Sequence, residues 1–214
     1  MGIWRFQLLG FPVTVEPWFW LVIVVLGARP GSGIDDLVTW VLAAFVSILI
    51  HELGHAFTAR GFGLHPSITL HGIGGHTTMP GRPLSHQKNI LVSLAGSAAQ
   101  LVLAVALYFG ITALPYFELP LLYLLIGNLI TVSFYWALLN LLPILPMDGG
   151  HVMYLGIQIA KKRRDEVLPR QISTAVAIIV GILALYFGQT YLALLFGLMI
   201  YQNITELQQH SSRW

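Results

Sequence analysis

The chain has 214 residues, of which 56% are hydrophobic and 9% charged, with a formal net charge of +2 and a mean hydropathy of +0.75. A soluble domain carries roughly 25% charged residues, so the composition excludes an ordinary water-soluble fold and predicts an integral membrane protein built mostly of apolar helices. The absence of cysteine excludes disulfides, zinc ribbons and thiol nucleophiles, and no basic stripe points to nucleic acid.

Residues 1 to 15 alternate loosely and carry Pro12, as an interfacial strand or loop would. The aromatic, apolar run Pro17 to Leu26 reads as the first spanning helix, beginning before Pro17. No cleavable signal peptide is evident, so this span is expected to serve as its own insertion signal. A loop from Arg29 to Asp36 follows, in which Asp35 or Asp36 can cap helix 2. Helix 2 is predicted from about Leu37 to Arg60. Residues 61 to 89 are polar for this chain. Within them Ser67–Leu70 and Thr77–Met79 flank a Gly-rich turn, the pattern of a small membrane-associated β-hairpin. Helix 3 is predicted from about Ile90 to Leu114, with Asn89 as its cap and the small residues Ala95, Gly96, Ser97, Ala98 and Ala99 permitting close helix packing. Pro115, Glu118 and Pro120 mark a short loop.

Helix 4 begins near Leu119, and Pro143 and Pro146 must break its end before Met147. Residues 151 to 170 hold five Lys and Arg and read as a basic exposed loop. The uncharged stretch 172 to 204 would make a helix of about 50 Å, well beyond a hydrocarbon core of roughly 30 Å. A turn at Gly188-Gln189-Thr190 therefore divides it in two. The expected architecture is an all-α polytopic membrane protein of about six transmembrane helices, forming one domain over residues 1–214. With six spans, ten of the eleven Lys and Arg fall on one side and only Arg29 on the other. The rich side, with both termini, is expected to be cytoplasmic.

The stretch His51-Glu52-Leu53-Gly54-His55 reads H-E-x-x-H. Residues four apart share a helix face, so the two imidazoles can converge on one metal ion with Glu52 beside them as a base, the zinc-hydrolase pattern. Its setting sharpens the reading. Residues 37 to 50 contain no ionisable side chain and residues 53 to 59 only His55, and an ionisable cluster inside such a run marks a functional site by default.

Catalytic zinc needs a third protein ligand. Among the nine acids, Asp148 directly follows a long apolar helix in the Pro-broken, Gly-rich segment 140–150, and irregular backbone at membrane depth is tolerated where it lines a cavity. Its depth agrees with that of His51 and His55. The other reading of Asp148-Gly149 is a helix-end turn pair.

H-E-x-x-H on one membrane helix, with Asn140, Pro143, Asp148 and Gly149 in the pattern N-x-x-P-x-x-x-x-D-G on a later one, resembles the paired signature of the site-2 proteases, the intramembrane zinc metalloproteases. The resemblance covers roughly residues 10 to 150 and implies a minimal form with a three-helix catalytic core (helices 2–4, about residues 35–150). It implies that His51, His55 and Asp148 bind one Zn2+ per chain, that Glu52 is the base, and that Asn140 holds the substrate or its oxyanion. It also implies that the hairpin lies near the active site, where its edge can pair with an unwound substrate strand. Many members carry Ala-Gly-Pro followed by an Asn on the middle core helix. This chain has Ala95-Gly96-Ser97 and then Gln100, whose amide offers similar hydrogen bonds.

The expected activity is hydrolysis of peptide bonds in or near transmembrane segments of membrane proteins, in the cell (inner) membrane, with regulated intramembrane proteolysis as the setting the resemblance suggests. The alternative is a non-catalytic membrane metal-binding protein or a metal transporter. A transporter should place polar ligands on several helices, whereas helices 5 and 6 carry almost no buried polar groups. Among the other histidines, His151 has a supporting role near Asp148 as one reading. His65, His71, His76 and His86 read as interfacial or capping residues, and His210 as solvated.

Overall fold

A computed structural model of the chain describes residues 3–28, 31–113 and 119–211. Arg29, Pro115, Glu118 and Arg213, which entered the loop and charge assignments, lie outside them. The elements are β1 (Trp4–Leu8), β2 (Phe11–Val15), α1 (Pro17–Gly27), α2 (Ile34–Gly61), β3 (Ser67–His71), β4 (Gly74–Thr78), α3 (His86–Ala113), α4 (Pro120–Asn140), α5 (Asp148–Lys161), α6 (Val167–Tyr186) and α7 (Thr190–Ser211). They pack as two compact units, Met1–Pro83 with Ala95–Leu138 and Leu84–Leu94 with Leu139–Trp214.

In the first unit the four strands form one sheet in the order β1-β2-β3-β4. The expected hairpin is β3–β4, antiparallel, with Thr69 opposite His76. It is extended by a second hairpin at the N-terminus, where β1 pairs antiparallel with β2 and β2 runs parallel to β3. Strand alternation turns Phe11, Val13 and Val15 inward with Ile68 and Leu70. They pack on Phe19 and Ile23 of α1 and on Ile48 and Leu49 of α2. Because β2 occupies the residues before it, α1 does not begin ahead of Pro17. Pro17 is its first residue, a position where a missing N–H costs nothing. At 11 residues α1 is about 16 Å long.

Asp36 serves the start of α2, where its Oδ2 accepts a hydrogen bond from the Gly33 N–H at 3.1 Å. Further along, the small residues of α3 act as expected. A Cβ placed on Gly54 of α2 would lie 2.5 Å from the Ala95 carbonyl oxygen, so the two helices touch backbone to backbone there.

In the second unit α3 starts at His86, earlier than expected, because Ser85 rather than Asn89 receives the first amides. The Asn89 N–H reaches the Ser85 carbonyl at 3.0 Å and the Lys88 N–H reaches Ser85 Oγ at 3.4 Å. After Asn140 the backbone turns through residues 141–147, where Pro143 and Pro146 cannot donate. The expected basic loop over 151–170 is corrected: Asp148–Lys161 is a helix. No proline interrupts residues 147–168, and the acid in the first turn and lysine in the last suit the helix dipole. The chain leaves α5 through a left-handed Lys162. Asp165 Oδ1 then accepts the amides of Val167 and Leu168 and so caps α6.

The uncharged stretch is two helices, parted at Gly188, whose φ is +69°. Phe196 and Met199 of α7 pack with Ala177 of α6 and with Ile144. The expectation of almost no buried polar groups on these helices needs amending. Ser173 and Asn203 are buried, and both serve Leu145: its N–H reaches Ser173 Oγ at 3.0 Å and its carbonyl accepts from Asn203 Nδ2 at 2.8 Å.

Among the described residues four helices are long and apolar enough to cross a membrane: α2, α3, α4 and α6. Two of the six expected spans differ in kind. α1 is short, and α7 carries Gln202, Asn203, Glu206, Gln208 and Gln209 in its second half. Val102, Val105 and Phe109 of α3 and Ile179, Ile182 and Leu185 of α6 are each more than half exposed. Apolar faces of this extent suit hydrocarbon, not water.

Candidate metal centre

α2 buries His51, Glu52 and His55. Burial of three ionisable groups on one turn is costly unless they are paired or hold an ion. One helical turn brings the two histidine rings to nearly perpendicular planes, at 85°, with centroids 4.6 Å apart. Their Nε2 atoms face each other at 3.0 Å. Two imidazole nitrogens on one tetrahedral zinc, each about 2.05 Å from it, lie about 3.3 Å apart. The pair therefore already has the spacing that one ion requires.

α3 shapes the other wall. A Cβ on Gly96 would lie 2.4 Å from His55 Nε2 and 2.9 Å from His51 Cε1, so only glycine leaves room for both rings. Gln100, one turn further along the same face, takes a hydrogen bond from His51 Nδ1 at 2.9 Å. Its Nε2 donates to the carbonyl and the Oγ of Ser47 on α2, at 3.1 and 2.9 Å.

Among the described residues the groups that could hold a metal ion are His51 and His55 of the first unit and Asp148 of the second. Two imidazole nitrogens and a carboxylate oxygen match the donor set of catalytic zinc sites, and together with the Gly96 cradle they fit such an ion. Asp148 does not end helix 4, as expected, but opens α5. It is the acidic residue of that helix's first turn. The two glycines after it are helical, not a turn. A Cβ on Gly149 would lie 2.1 Å from the Leu141 carbonyl oxygen, and one on Gly150 would lie 2.4 Å from Ile144. α5 can thus start hard against the preceding turn.

Glu52 points to the sheet. Thr77 Oγ1 on β4 donates to Glu52 Oε2 at 2.7 Å, and a Cβ on Gly75 would lie 2.4 Å from Glu52 Oε1. Neither residue was singled out from the sequence. The only signal was the glycine-rich turn, which said nothing about which side chain the strand would pass. Asn140 is the last residue of α4, half-buried, and is not one of the three grouped residues. His151, three residues beyond Asp148 in α5, is exposed.

These features describe a membrane protein with an H-E-x-x-H helix and, on a second segment, a carboxylate that could join it in holding a metal. No family model matches the chain. Three curated relatives do: the zinc metalloprotease MJ0392 of Methanocaldococcus jannaschii, at 30% identity over 158 residues; the candidate zinc metalloprotease sll0528 of Synechocystis, at 31% over 161; and the candidate zinc metalloprotease Rip3 of Mycobacterium tuberculosis, at 32% over 167. Each alignment takes in 69% of this chain, and the chain spans 43%, 42% and 41% of those relatives' lengths. The solved structure of a site-2 protease from Methanocaldococcus jannaschii has the same fold. The match covers 96% of this chain and 95% of that one, with a TM-score of 0.68 at 22% identity. The chain is thus similar in sequence to zinc metalloproteases and in fold to a site-2 protease.

Proposed function

We propose that the chain is an intramembrane zinc metalloprotease, a single domain that hydrolyses peptide bonds in or near transmembrane segments of membrane proteins. The observation that carries the reading is the buried His51–His55 pair, its Nε2 atoms 3.0 Å apart and grouped with Asp148, on the helix that also buries Glu52. The names of the relatives support zinc as the ion.

His51, His55 and Asp148 hold the metal. Zinc, when bound, supplies Lewis acidity where these three side chains converge. Glu52 is the general base, taking a proton from the attacking water and delivering it to the departing amine. Thr77 orients its carboxylate through Oε2. Asn140 donates to the oxygen on which charge develops, or holds the substrate backbone beside it. A helical substrate keeps its carbonyls in hydrogen bonds, so it reacts only after local unwinding. β4 is an edge strand beside the Glu52 carboxylate, and an extended segment added to that edge lies next to the base. With six spans, the ten-to-one distribution of Lys and Arg supports a cytoplasmic location for this side and both termini.

The test is cleavage of a generic transmembrane reporter by purified protein in detergent, with a zinc chelator, after zinc is restored, and in Asp148→Ala. Cleavage that stops with chelator, returns with zinc and is missing in Asp148→Ala supports the proposal. Cleavage indifferent to all three refutes it, and zinc bound without cleavage of any helix-weakened reporter favours a metal-binding protein.

A further inference from the structure

We infer that Gln100 is a positioning residue for the metal centre, because its side-chain amide dictates which nitrogen of His51 faces the ion. The inference rests on the reading of His51 and His55 as ligands, and it follows from donor and acceptor chemistry.

The Ser47 backbone carbonyl can only accept a hydrogen bond. The end of the Gln100 amide that lies 3.1 Å from it must therefore be the NH2. That leaves the amide oxygen toward His51, 2.9 Å from Nδ1. A carbonyl oxygen cannot donate, so His51 Nδ1 must carry the proton. In a neutral imidazole the other nitrogen then holds the lone pair. That nitrogen is Nε2, the atom 3.0 Å from His55 Nε2. One backbone carbonyl thus determines, through one amide, the tautomer that can bind metal.

The arrangement is closed to water. Ser47, Gln100 and Ser133 are each 0% exposed and His51 4%, so no solvent molecule can take the place of the amide. Ser133 of α4 donates to Ser47 Oγ at 2.9 Å, and the network joins α2, α3 and α4 within the first unit. Sequence spacing builds it. Ser47 and His51 are four apart on α2, Gly96 and Gln100 four apart on α3, so each pair shares a face. Gly96 gives the rings room, and Gln100 fixes the orientation of one of them. A leucine would fill the space of Gln100 without the cost of burying an amide. The amide is the costlier choice, and orienting His51 is what it does.

The experiment measures zinc affinity by chelator competition and the melting temperature of the metal-free protein, for wild type, Gln100→Leu, Gln100→Glu and Ser133→Ala. Gln100→Leu is expected to bind zinc about 10–100-fold more weakly, the usual cost of losing a group that orients a metal-ligating histidine. Gln100→Glu, buried here as the neutral acid, can donate its proton to the Ser47 carbonyl and turn its other oxygen to Nδ1–H, so it keeps the acceptor and is expected to lose less than about tenfold in zinc affinity. Ser133→Ala, which touches only the far end of the network, is expected to lower the melting temperature but leave zinc affinity unchanged.

Wild-type affinity in Gln100→Leu overturns the inference while leaving the metal site standing. Equal weakening in Gln100→Glu and Gln100→Leu overturns it too, since an acceptor opposite Nδ1–H would then contribute nothing to metal binding. Should the leucine variant not fold, Gln100→Glu decides alone: loss of about tenfold or more refutes the positioning role. A wild type that binds no zinc overturns the metal reading itself, and this inference with it.

Discussion

Replacing Gly96 with alanine tests the geometry of the metal centre most sharply, because two effects of opposite sign meet there. In a helix interior alanine is favoured over glycine by about 1 kcal/mol. The added Cβ, however, would lie 2.4 Å from His55 Nε2 where ordinary contact begins near 3.4 Å, an overlap of about 1 Å. Overpacking of this kind costs about 1–3 kcal/mol if nothing yields. The atoms met first belong to a ring that can rotate, so His55 is expected to swing aside and relieve the strain. Folding then changes little, and the penalty appears in metal binding. Metal sites tolerate ligand displacements of about 0.2 Å, and a shift of about 1 Å removes a ligand outright. Zinc affinity should fall at least about 100-fold, beyond the loss from disturbing a supporting hydrogen bond. Chelator competition and thermal melting on the same preparation read both effects. A variant that melts like wild type and binds zinc with wild-type affinity would refute the cradle.

Further outcomes follow from neighbouring contacts. Gly54→Ala should behave oppositely to Gly96→Ala, because its Cβ meets the Ala95 backbone, which cannot rotate away. The melting temperature should drop, with about 1–3 kcal/mol lost to overpacking. Thr77→Val removes the donor to Glu52 Oε2. Since hydrogen bonds to charged groups contribute about 1.5–3 kcal/mol, kcat should fall by tenfold or more at unchanged zinc content, and Thr77→Ser should restore it. Asn203→Leu leaves the Leu145 carbonyl without its 2.8 Å donor. The variant should melt lower by an amount equivalent to about 1–3 kcal/mol, and unchanged melting would count against the brace on the Asp148 segment. The Asp165 carboxyl is held below its ordinary range by the Lys161 side chain and the Leu168 and Val167 amides. Its contribution is therefore present above the unfolded carboxylate pKa of about 3.9 and lost as pH falls through the lower folded value. Hydrogen exchange at the start of α6 should rise in acid, and Asp165→Asn should exchange faster already at neutral pH.

His51 and His55 were legible as a metal-capable pair because chemistry and helix period coincide in them. H-E-x-x-H needs only a helix to converge, and the apolar run from Leu37 to Ile50 made α2 unmistakable. The β3–β4 hairpin was legible from its glycine turn. The start of α3 was misplaced because Ser85 and Asn89 are equally good caps in sequence and only the backbone chooses between them. α5 was missed because five basic residues dominate 161–170 and masked the unbroken stretch before them. The N-terminal hairpin was hidden because Phe11, Val13 and Val15 find partners only in β3, far along the chain. The same holds for Thr77 and Glu52, and for Ser173, Asn203 and Leu145: a polar residue in an apolar helix announces a partner without naming it.

The measurement that tests the central claim most directly is zinc content and reporter cleavage on the same preparations of wild type and Glu52→Gln. The account predicts one zinc per chain in both, cleavage by wild type, and none by Glu52→Gln, because the substitution removes the base and leaves the ligands in place. Zinc-free wild type, or a Glu52→Gln variant that cleaves as wild type does, would contradict it.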